Sequence, residues 1–292
     1  MRGRLLRWIE HFLIGRRQRV RVAESCSAWN PVISGIPQGS VLGPILFVCY
    51  INDMPETIVS IIQMYADDTK LFRKIDGEID RRALQDDLDR LVLWAKKWQL
   101  KFNVEKCKVM HIGRNSQMQY DMERADSVQR EILQVTDEEK DLGVWFDSTL
   151  KPANHIAHVV NKANQLLGLV RRTFTYMDAE LMKLIFTSKI RPHLEYSNVV
   201  WHPYLKKDID LIEAVQHRAT RMIPGFSKIS YEERLKKLDM PTLFYRRLRG
   251  DAIEAYKYLH NIYAVNGKEL LPLHVPKGLQ TRGHSLTAQL ES

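Results

Sequence analysis

The sequence predicts an α+β protein in which short strands and helices alternate up to about residue 150 and only helices follow. Three observations predict this division. Gly- and Pro-rich turns separate short apolar runs in the first half, whereas apolar residues beyond Leu150 recur at helical spacing. The last segment has little periodicity. We therefore expect two regions, 1–150 and 151–264, and a weakly structured tail over 265–292.

The N-terminal elements follow from local patterns. Apolar residues at helical spacing predict a helix over Arg2–Ile14, and alternating residues then predict a hairpin between about 18 and 33. The segment Ser34–Pro44 contains three Gly and two Pro, which predicts a tightly shaped loop. Ser40 can cap the next helix. The nearly uninterrupted apolar run Val41–Ile51 predicts that this helix is buried on most sides.

A hairpin and a long amphipathic helix come next. The apolar run Ile58–Met64, the polar Tyr65–Thr69 and the pair Leu71–Phe72 predict a hairpin with two acids at its tip. A stripe of apolar residues then predicts a helix over Asp80–Gln99. Further strands are expected at Phe102–Ile112, Val128–Val135 and Leu142–Phe146, and four helical stripes begin at Ile156, Leu181, Ile212 and Phe244.

Composition excludes several classes of protein. With 45% hydrophobic and 27% charged residues, the 292-residue chain can fill a core. Its longest apolar run, Ile45–Ile51, is far shorter than the ~18–20 residues of a membrane span, so no membrane association is expected. Charged residues interrupt the N-terminus where a signal peptide needs an apolar core, and three scattered cysteines fit no disulfide framework. We therefore expect an intracellular protein.

Positive charge is concentrated at the two ends of the sequence. Residues 1–30 carry seven Arg and two Glu, and residues 151–260 carry 19 basic and 11 acidic side chains, within a net charge of +9. The segment 31–150 is slightly acidic. This distribution suits a protein that binds a polyanion with its ends and metal ions with carboxylates in its middle, although a solvated basic surface explains it equally well.

The adjacent carboxylates Asp67 and Asp68 are the most informative pair. Neighbouring carboxylates repel, so their position between two strands suggests a counter-ion. Mg²⁺ accepts carboxylate oxygens and leaves positions for water and phosphate, and two such ions can stabilise the attacking and leaving oxygens of a phosphoryl transfer. An isolated Asp-Asp pair is nevertheless more often an exposed acidic turn.

The wider pattern resembles the reverse transcriptases of non-LTR (LINE-type, jockey/CR1-like) retrotransposons. The YADD motif at Tyr65–Asp68 follows the SGIPQGSVLGP loop by about thirty residues, as in that family. Further similar segments occur in the family's order: RRQRV at Arg16–Val20, FVCYINDMP at Phe47–Pro55, LKFNVEKC at Leu100–Cys107, KDLGVWFD at Lys140–Asp147, and a helical region from about 155 to 262. The resemblance implies a partial palm, with an antiparallel sheet and helices, followed by an all-α thumb-like region.

The resemblance also implies roles for individual residues. Asp67 would bind catalytic Mg²⁺ or Mn²⁺, and Asp68 would be a second ligand or contact the primer end. Tyr65 and Ala66 would lie near the primer terminus, and Pro37, Gln38 and Gly39 would border the nucleotide and template pocket. Lys106 would protonate the departing pyrophosphate, although a lysine in this position is more often a surface residue. In the thumb, Lys162, Arg171 and Arg172 would contact phosphates.

The family's metal site also requires an Asp within an F-x-D-x-x-K-A-F-D motif that precedes the RRQRV stretch. This sequence has no Asp before Asp53. The fingers, the endonuclease and any Cys/His knuckle are also missing, so the chain resembles the C-terminal portion of the enzyme, beginning inside the palm. Because transfer depends on charge arranged around two metals, we expect this chain alone not to polymerise.

Three functional hypotheses remain open from the sequence. The first is a reverse transcriptase fragment that acts on an RNA template, a DNA primer and dNTPs. The second is a non-catalytic nucleic-acid-binding protein derived from a retroelement. The third is a translated retroelement fragment without a selected role. The resemblance also makes the nucleus a plausible location, and the sequence does not define an oligomeric state.

Overall fold

A computed structural model of the chain describes residues 3–113, 118–124, 129–265, 273–274 and 287–288. Two compact units are present. The first comprises the described residues within Met1–Val109 and Ser116–Val135, and the second those within Met110–Asn115 and Thr136–Ser292. Most of the predicted tail, 265–292, lies outside the described residues. The combination of helices with short strands confirms the predicted α+β class.

The first unit combines three helices with short strands. Its elements are α1 (Arg4–Leu13), β1 (Arg17–Gln18), β2 (Arg21–Val22), β3 (Ser25–Cys26), β4 (Asn30–Pro31), α2 (Leu42–Ile51), β5 (Ile61–Tyr65), β6 (Asp68–Phe72), α3 (Glu78–Lys97), β7 (Lys108–Val109), β8 (Asp121–Glu123), β9 (Arg130–Ile132) and β10 (Gln134–Val135). Single 3₁₀ turns occur at Met54–Thr57 and Val104–Lys106. The predicted first helix, N-terminal hairpin and long amphipathic helix are confirmed.

Each sheet that the structure describes in the first unit has two strands. Antiparallel pairing joins β1 with β4, β2 with β3, β5 with β6 and β8 with β9, and parallel pairing joins β7 with β10. The long strand predicted over Phe102–Ile112 is wrong. The carbonyl oxygen of Asn103 accepts hydrogen bonds from the amides of Lys106 and Cys107, which bends the chain into a 3₁₀ turn and leaves only the short β7.

The expectation that α2 is buried on most sides is also wrong. Among its residues only Gly43 and Ile51 are buried, whereas Ile45 and Val48 are 55% and 50% exposed. An all-round apolar helix needs partners on every side, and the described part of the first unit covers only the two ends of this one. The loop before α2 covers Gly43. At the C-terminal end, Ile51 and Met54 pack with Leu91, Trp94 and Ala95 of α3.

The second unit is predominantly helical. Its elements are β11 (Glu138–Asp141), β12 (Val144–Asp147), α4 (Ala153–Thr173), α5 (Ala179–Ile185), α6 (Arg191–Glu195), α7 (Asn198–Trp201), α8 (Lys206–Arg221), α9 (Tyr231–Leu238), α10 (Leu243–Leu259), β13 (Leu273–His274) and β14 (Thr287–Ala288). A π-turn over Phe186–Ile190 connects α5 to α6, and a 3₁₀ turn spans Phe226–Lys228. β11 pairs antiparallel with β12, and β13 with β14.

One apolar core unites the helices of the second unit. Ile156 of α4, Ile212 of α8 and Leu243 of α10 are fully buried, and Phe186 and Leu194 pack into the same cluster. The stripes that begin at Ile156, Leu181 and Ile212 contribute to this core. The stripe predicted from Phe244 is wrong, because α10 buries Leu243 and Arg247, and Phe244 itself is 40% exposed. In the described portion of the chain, no helix has both the length and the apolar composition needed to cross a bilayer.

Candidate active site

The hairpin of β5 and β6 carries the predicted carboxylates. Pairing extends from Ile61 opposite Phe72 to Tyr65 opposite Asp68, so the loop consists of Ala66 and Asp67. Ala66 has a φ of 52°, a left-handed conformation that costs a non-glycine residue ~1–2 kcal/mol. The predicted hairpin is confirmed, with Asp67 in its turn and Asp68 at the first position of the returning strand.

Both carboxylates are exposed and available to a ligand. Within the described ranges, no hydrogen bond or ion pair engages the side chain of Asp67 or Asp68. Mg²⁺ is usually held by one or two carboxylates together with waters and phosphate oxygens, so this pair fits a single ion. The described residues contain no group of three or more His, Cys, Asp or Glu side chains that could hold a metal. The two carboxylates by themselves therefore offer fewer protein ligands than a two-metal site requires.

The inner face of the hairpin packs on α3. Ile62, Met64 and Leu71 are partly buried against the cluster that contains Leu91 and Trp94. The outer face is open to solvent, where Tyr65 is 67% exposed. Alternation along both strands thus fixes one side of the hairpin to the unit and leaves the other side, with Tyr65, uncovered.

A buried aspartate on α3 holds the start of this hairpin. The Oδ1 atom of Asp87 accepts a hydrogen bond from the amide of Val59 at 3.0 Å, and its Oδ2 atom accepts one from the amide of Ser60 at 2.8 Å. Arg90 forms an ion pair with the same carboxylate. Burial opposes ionisation, but the hydrogen bonds from Ser60 and Val59 and the pair with Arg90 outweigh it, so the pKa of Asp87 lies below its usual value.

Sequence reasoning missed Asp87, although a signal was present. Asp87 lies three residues after Leu84 and four before Leu91, on the apolar face of α3. A carboxylate on such a face needs a buried partner. The pattern does not reveal that the partners are backbone amides 27 and 28 residues earlier in the chain.

The loop before α2 has a defined internal structure. The hydroxyl group of Ser40 donates to the carbonyl oxygen of Pro37 at 2.7 Å and accepts from the amide of Gly43 at 3.0 Å. Ser40 therefore satisfies an amide at the start of α2, as expected of a capping residue. Gly39 has a φ of 79°, which favours glycine. Gln38 and Gly39 are exposed, whereas Pro37 is half-buried.

Arg16 holds the other end of this loop. Its guanidinium group donates to the carbonyl oxygens of Ser34 at 3.3 Å and Gly35 at 2.6 Å, and its Nε atom donates to Leu13 at 2.8 Å. The RRQRV segment therefore positions the SGIPQGS loop through its first arginine. The sequence offers no local signal for this contact, which spans 18 and 19 residues.

The remaining predicted site residue, Lys106, is exposed at the end of a 3₁₀ turn. In the portion of the chain that the structure describes, no hydrogen bond or ion pair connects Lys106 with Asp67 or Asp68. Its role as a proton donor therefore stays a prediction. The geometry thus joins Tyr65, Ala66 and the two aspartates in one turn, and shows Pro37, Gln38 and Gly39 in a separate shaped loop.

Comparisons of the sequence with known proteins identify a family and several relatives. Residues 2–146 match the family model described as reverse transcriptase (RNA-dependent DNA polymerase). The chain is similar to the probable RNA-directed DNA polymerase from transposon X-element of Drosophila melanogaster, with 27% identity over 74% of this chain and 24% of that protein. It is also similar to the RNA-directed DNA polymerase from mobile element jockey of the same species, with 28% identity over 74% of this chain and 25% of that protein.

A jockey polymerase from Drosophila funebris is likewise 28% identical over 76% of this chain. The chain spans about a quarter of the length of these curated relatives. No solved structure gives a significant match. The YADD hairpin and the SGIPQGS loop both lie inside the matched segment. Residues 2–146, just under half of the chain, are therefore similar to the reverse transcriptase family, and the RNA-directed DNA polymerases of non-LTR retrotransposons are among the relatives of the chain.

Proposed function

We propose that this chain is part of an RNA-directed DNA polymerase and supplies its metal-binding hairpin. The observation that carries the proposal is the pair of exposed, unengaged carboxylates of Asp67 and Asp68 at the turn of β5 and β6, within the segment that matches the family. The substrates are an RNA template, a DNA primer and dNTPs. Bound Mg²⁺ or Mn²⁺ would stabilise the attacking and leaving oxygens of nucleotidyl transfer.

In this proposal the chain's own residues bind and orient. Asp67 and Asp68 hold the divalent ion, and Asp87 and α3 keep the hairpin in place. Gln38 and Gly39 border the nucleotide and template pocket, where the missing side chain of glycine allows close backbone approach. Residues 1–150 then form part of the palm and 151–264 the thumb-like region.

We further propose that the chain does not polymerise alone. Two adjacent carboxylates can hold one ion, whereas two-metal transfer needs another carboxylate to share the ions. Losing one such ligand raises the barrier by several kcal/mol, on the order of a thousandfold or more in rate. The described residues bring no third carboxylate into this group.

Primer extension tests both statements. We would compare the 292-residue chain with a chimera that adds the polymerase segment preceding the matched region of the jockey relative. Each protein would be assayed unmodified, as the Asp67→Asn variant and as the Asp76→Asn variant. Asp76 is the matched control, because it is an exposed aspartate in the loop after β6.

We expect activity only in the chimera, lost in Asp67→Asn and retained in Asp76→Asn. If the unmodified chain extends primers and Asp67→Asn abolishes that activity, the metal site of the chain is complete. A folded chimera that never extends primers would refute the assignment of the hairpin.

A specific observation also supports nucleic-acid binding without catalysis. Lys162, Arg171 and Arg172 are exposed on α4, in a segment with a large excess of basic residues. If this surface binds phosphates, log Kd should vary linearly with log salt concentration, and each lost phosphate contact should reduce that slope by about one. Affinity that is independent of salt would exclude this function.

A further inference from the structure

An aromatic cavity of about 220 Å³ lies within the second unit. Its wall is formed by strand β12, by the segment Leu150–Pro152 that leads to α4, and by the end of α7 with the loop after it. The ring-bearing residues that line it are Trp145, Phe146, Trp201, His202 and Tyr204. Trp201 is buried, whereas Tyr204 is 66% exposed, so the rings extend from the interior of the unit to solvent.

The walls of this cavity are held before any ligand arrives. The indole Nε1 of Trp201 donates to the carbonyl oxygen of Tyr196 at 2.8 Å. The Trp145 ring stacks on His158 with centroids 4.4 Å apart. The Nδ1 atom of His202 lies 2.5 Å from the carboxylate of Asp251. A ligand therefore meets three rings, those of Trp145, Trp201 and His202, that already have partners, which lowers the entropic cost of binding.

Size and lining restrict the class of ligand. Sites for drug-sized molecules occupy ~300–1,000 Å³, so this smaller cavity suits a single planar ring system. Aromatic walls stack on such rings, and every nucleobase presents a π-face.

Charge narrows the choice further. Lys151, which is exposed, also lines the cavity, and residues 151–260 carry 19 basic and 11 acidic side chains. A methylated lysine or another cation would be repelled, although aromatic cages otherwise favour such ligands. A polyanion that carries planar rings can stack on the aromatic walls and pair with the positive charge of Lys151.

We propose that this cavity binds one unstacked nucleobase of a single-stranded nucleic acid, with a neighbouring phosphate near Lys151. The inference rests on the proposed function, because it assigns a second contact to the same template or primer strand. Stacking reads no base edge, so the site accepts any base. It holds a strand that has left the duplex.

The test compares oligonucleotides with and without a base. Binding of the full chain to a fluorescent single strand would be measured at low ionic strength, using otherwise identical strands that carry normal or abasic nucleotides. The variants are Tyr204→Ala, Tyr204→Trp and the matched control Tyr176→Ala. Tyr176 is 70% exposed in the same unit and does not line the cavity. Because both rings are exposed, neither change should unfold the protein.

We expect the unmodified chain and Tyr176→Ala to bind the normal strand about tenfold more tightly than the abasic strand, the effect of one stacked base. Tyr204→Ala should lose this preference, and Tyr204→Trp should keep it. Salt-dependent binding with equal affinity for the normal and the abasic strand would overturn the cavity site and leave the proposed function intact. Absence of any oligonucleotide binding would overturn both. Binding of a trimethyl-lysine peptide in place of the strand would reassign the cavity.

Discussion

The two units are stabilised in different ways. In the described part of the chain, 20 buried hydrophobic residues of the second unit form a single cluster, which joins α4 to α10. The first unit has two clusters with five buried residues each. Because burial of apolar area drives folding, the second unit contains its main source of stability within itself.

The first unit adds polar contacts between distant segments to these two small clusters. Asp87 binds the amides that precede β5, and the indole Nε1 of Trp94 donates to the Oδ1 atom of Asp53 at 2.9 Å. Apolar side chains such as Val48 and Ile61 remain at least half exposed. The segment that carries the candidate active site is therefore the less self-sufficient of the two, which is consistent with a role inside a larger polymerase.

The largest expected difference concerns core truncation. Phe186→Ala removes a side chain that is 1% exposed in the second unit and should cost about 4 kcal/mol. Val48→Ala, at a half-exposed position of α2, should change stability by less than about 0.5 kcal/mol. Urea denaturation followed by hydrogen exchange would localise each effect. Similar losses for the two variants would mean that α2 is buried in solution and would remove the contrast between the units.

A smaller effect is expected at the polar anchor of the first unit. Asp87→Ala leaves the amides of Val59 and Ser60 and the Arg90 guanidinium without their partner, at a cost of about 3 kcal/mol. Hydrogen exchange should increase in β5 and β6 and remain unchanged in α4. The neighbouring exposed Asp86 offers a matched control, and Asp86→Ala should leave exchange unaltered. Unchanged protection of the hairpin in Asp87→Ala would show that apolar packing alone holds it.

Elements with a strong local pattern were predictable from the sequence. The hairpin at Tyr65–Asp68 and the helix α3 have their own periodicity and turn residues, so local preference and final structure agree. Burial of α2 was not predictable in this way, because it depends on which other segments are present. The strand expected over Phe102–Ile112 failed because local hydrogen bonds to Asn103 compete with strand pairing.

The same distinction applies to the candidate site. Asp67, Asp68 and the SGIPQGS loop were identified because the residues of each motif follow one another directly in the sequence. Arg16 and Asp87, which position the loop and the hairpin, act on backbone atoms far along the chain and carry no motif of their own. The aromatic cavity combines residues from 144 to 204 and appears only once the second unit is folded.

The smallest expected effect is a pH dependence confined to the second unit. His155 is 1% exposed, and its Nδ1 atom accepts the Trp145 amide at 3.1 Å. Burial, with smaller contributions from His158 and Lys140, lowers the pKa of His155 to about 4.

The unfolded chain, with an ordinary histidine pKa of about 6.5, binds the proton more readily. The contribution of this residue to stability is therefore retained above pH ~6.5 and is lost as the pH falls toward 4, with a loss of about 2 kcal/mol by pH ~5. His155→Gln cannot titrate, so its stability should vary less over this range, with the difference confined to exchange in β12 and α4. Parallel pH profiles for the two proteins would show that His155 takes up a proton as readily in the folded protein as in the unfolded chain. Its hydrogen bond from the Trp145 amide would then be lost below pH ~6.5, because a protonated Nδ1 cannot accept.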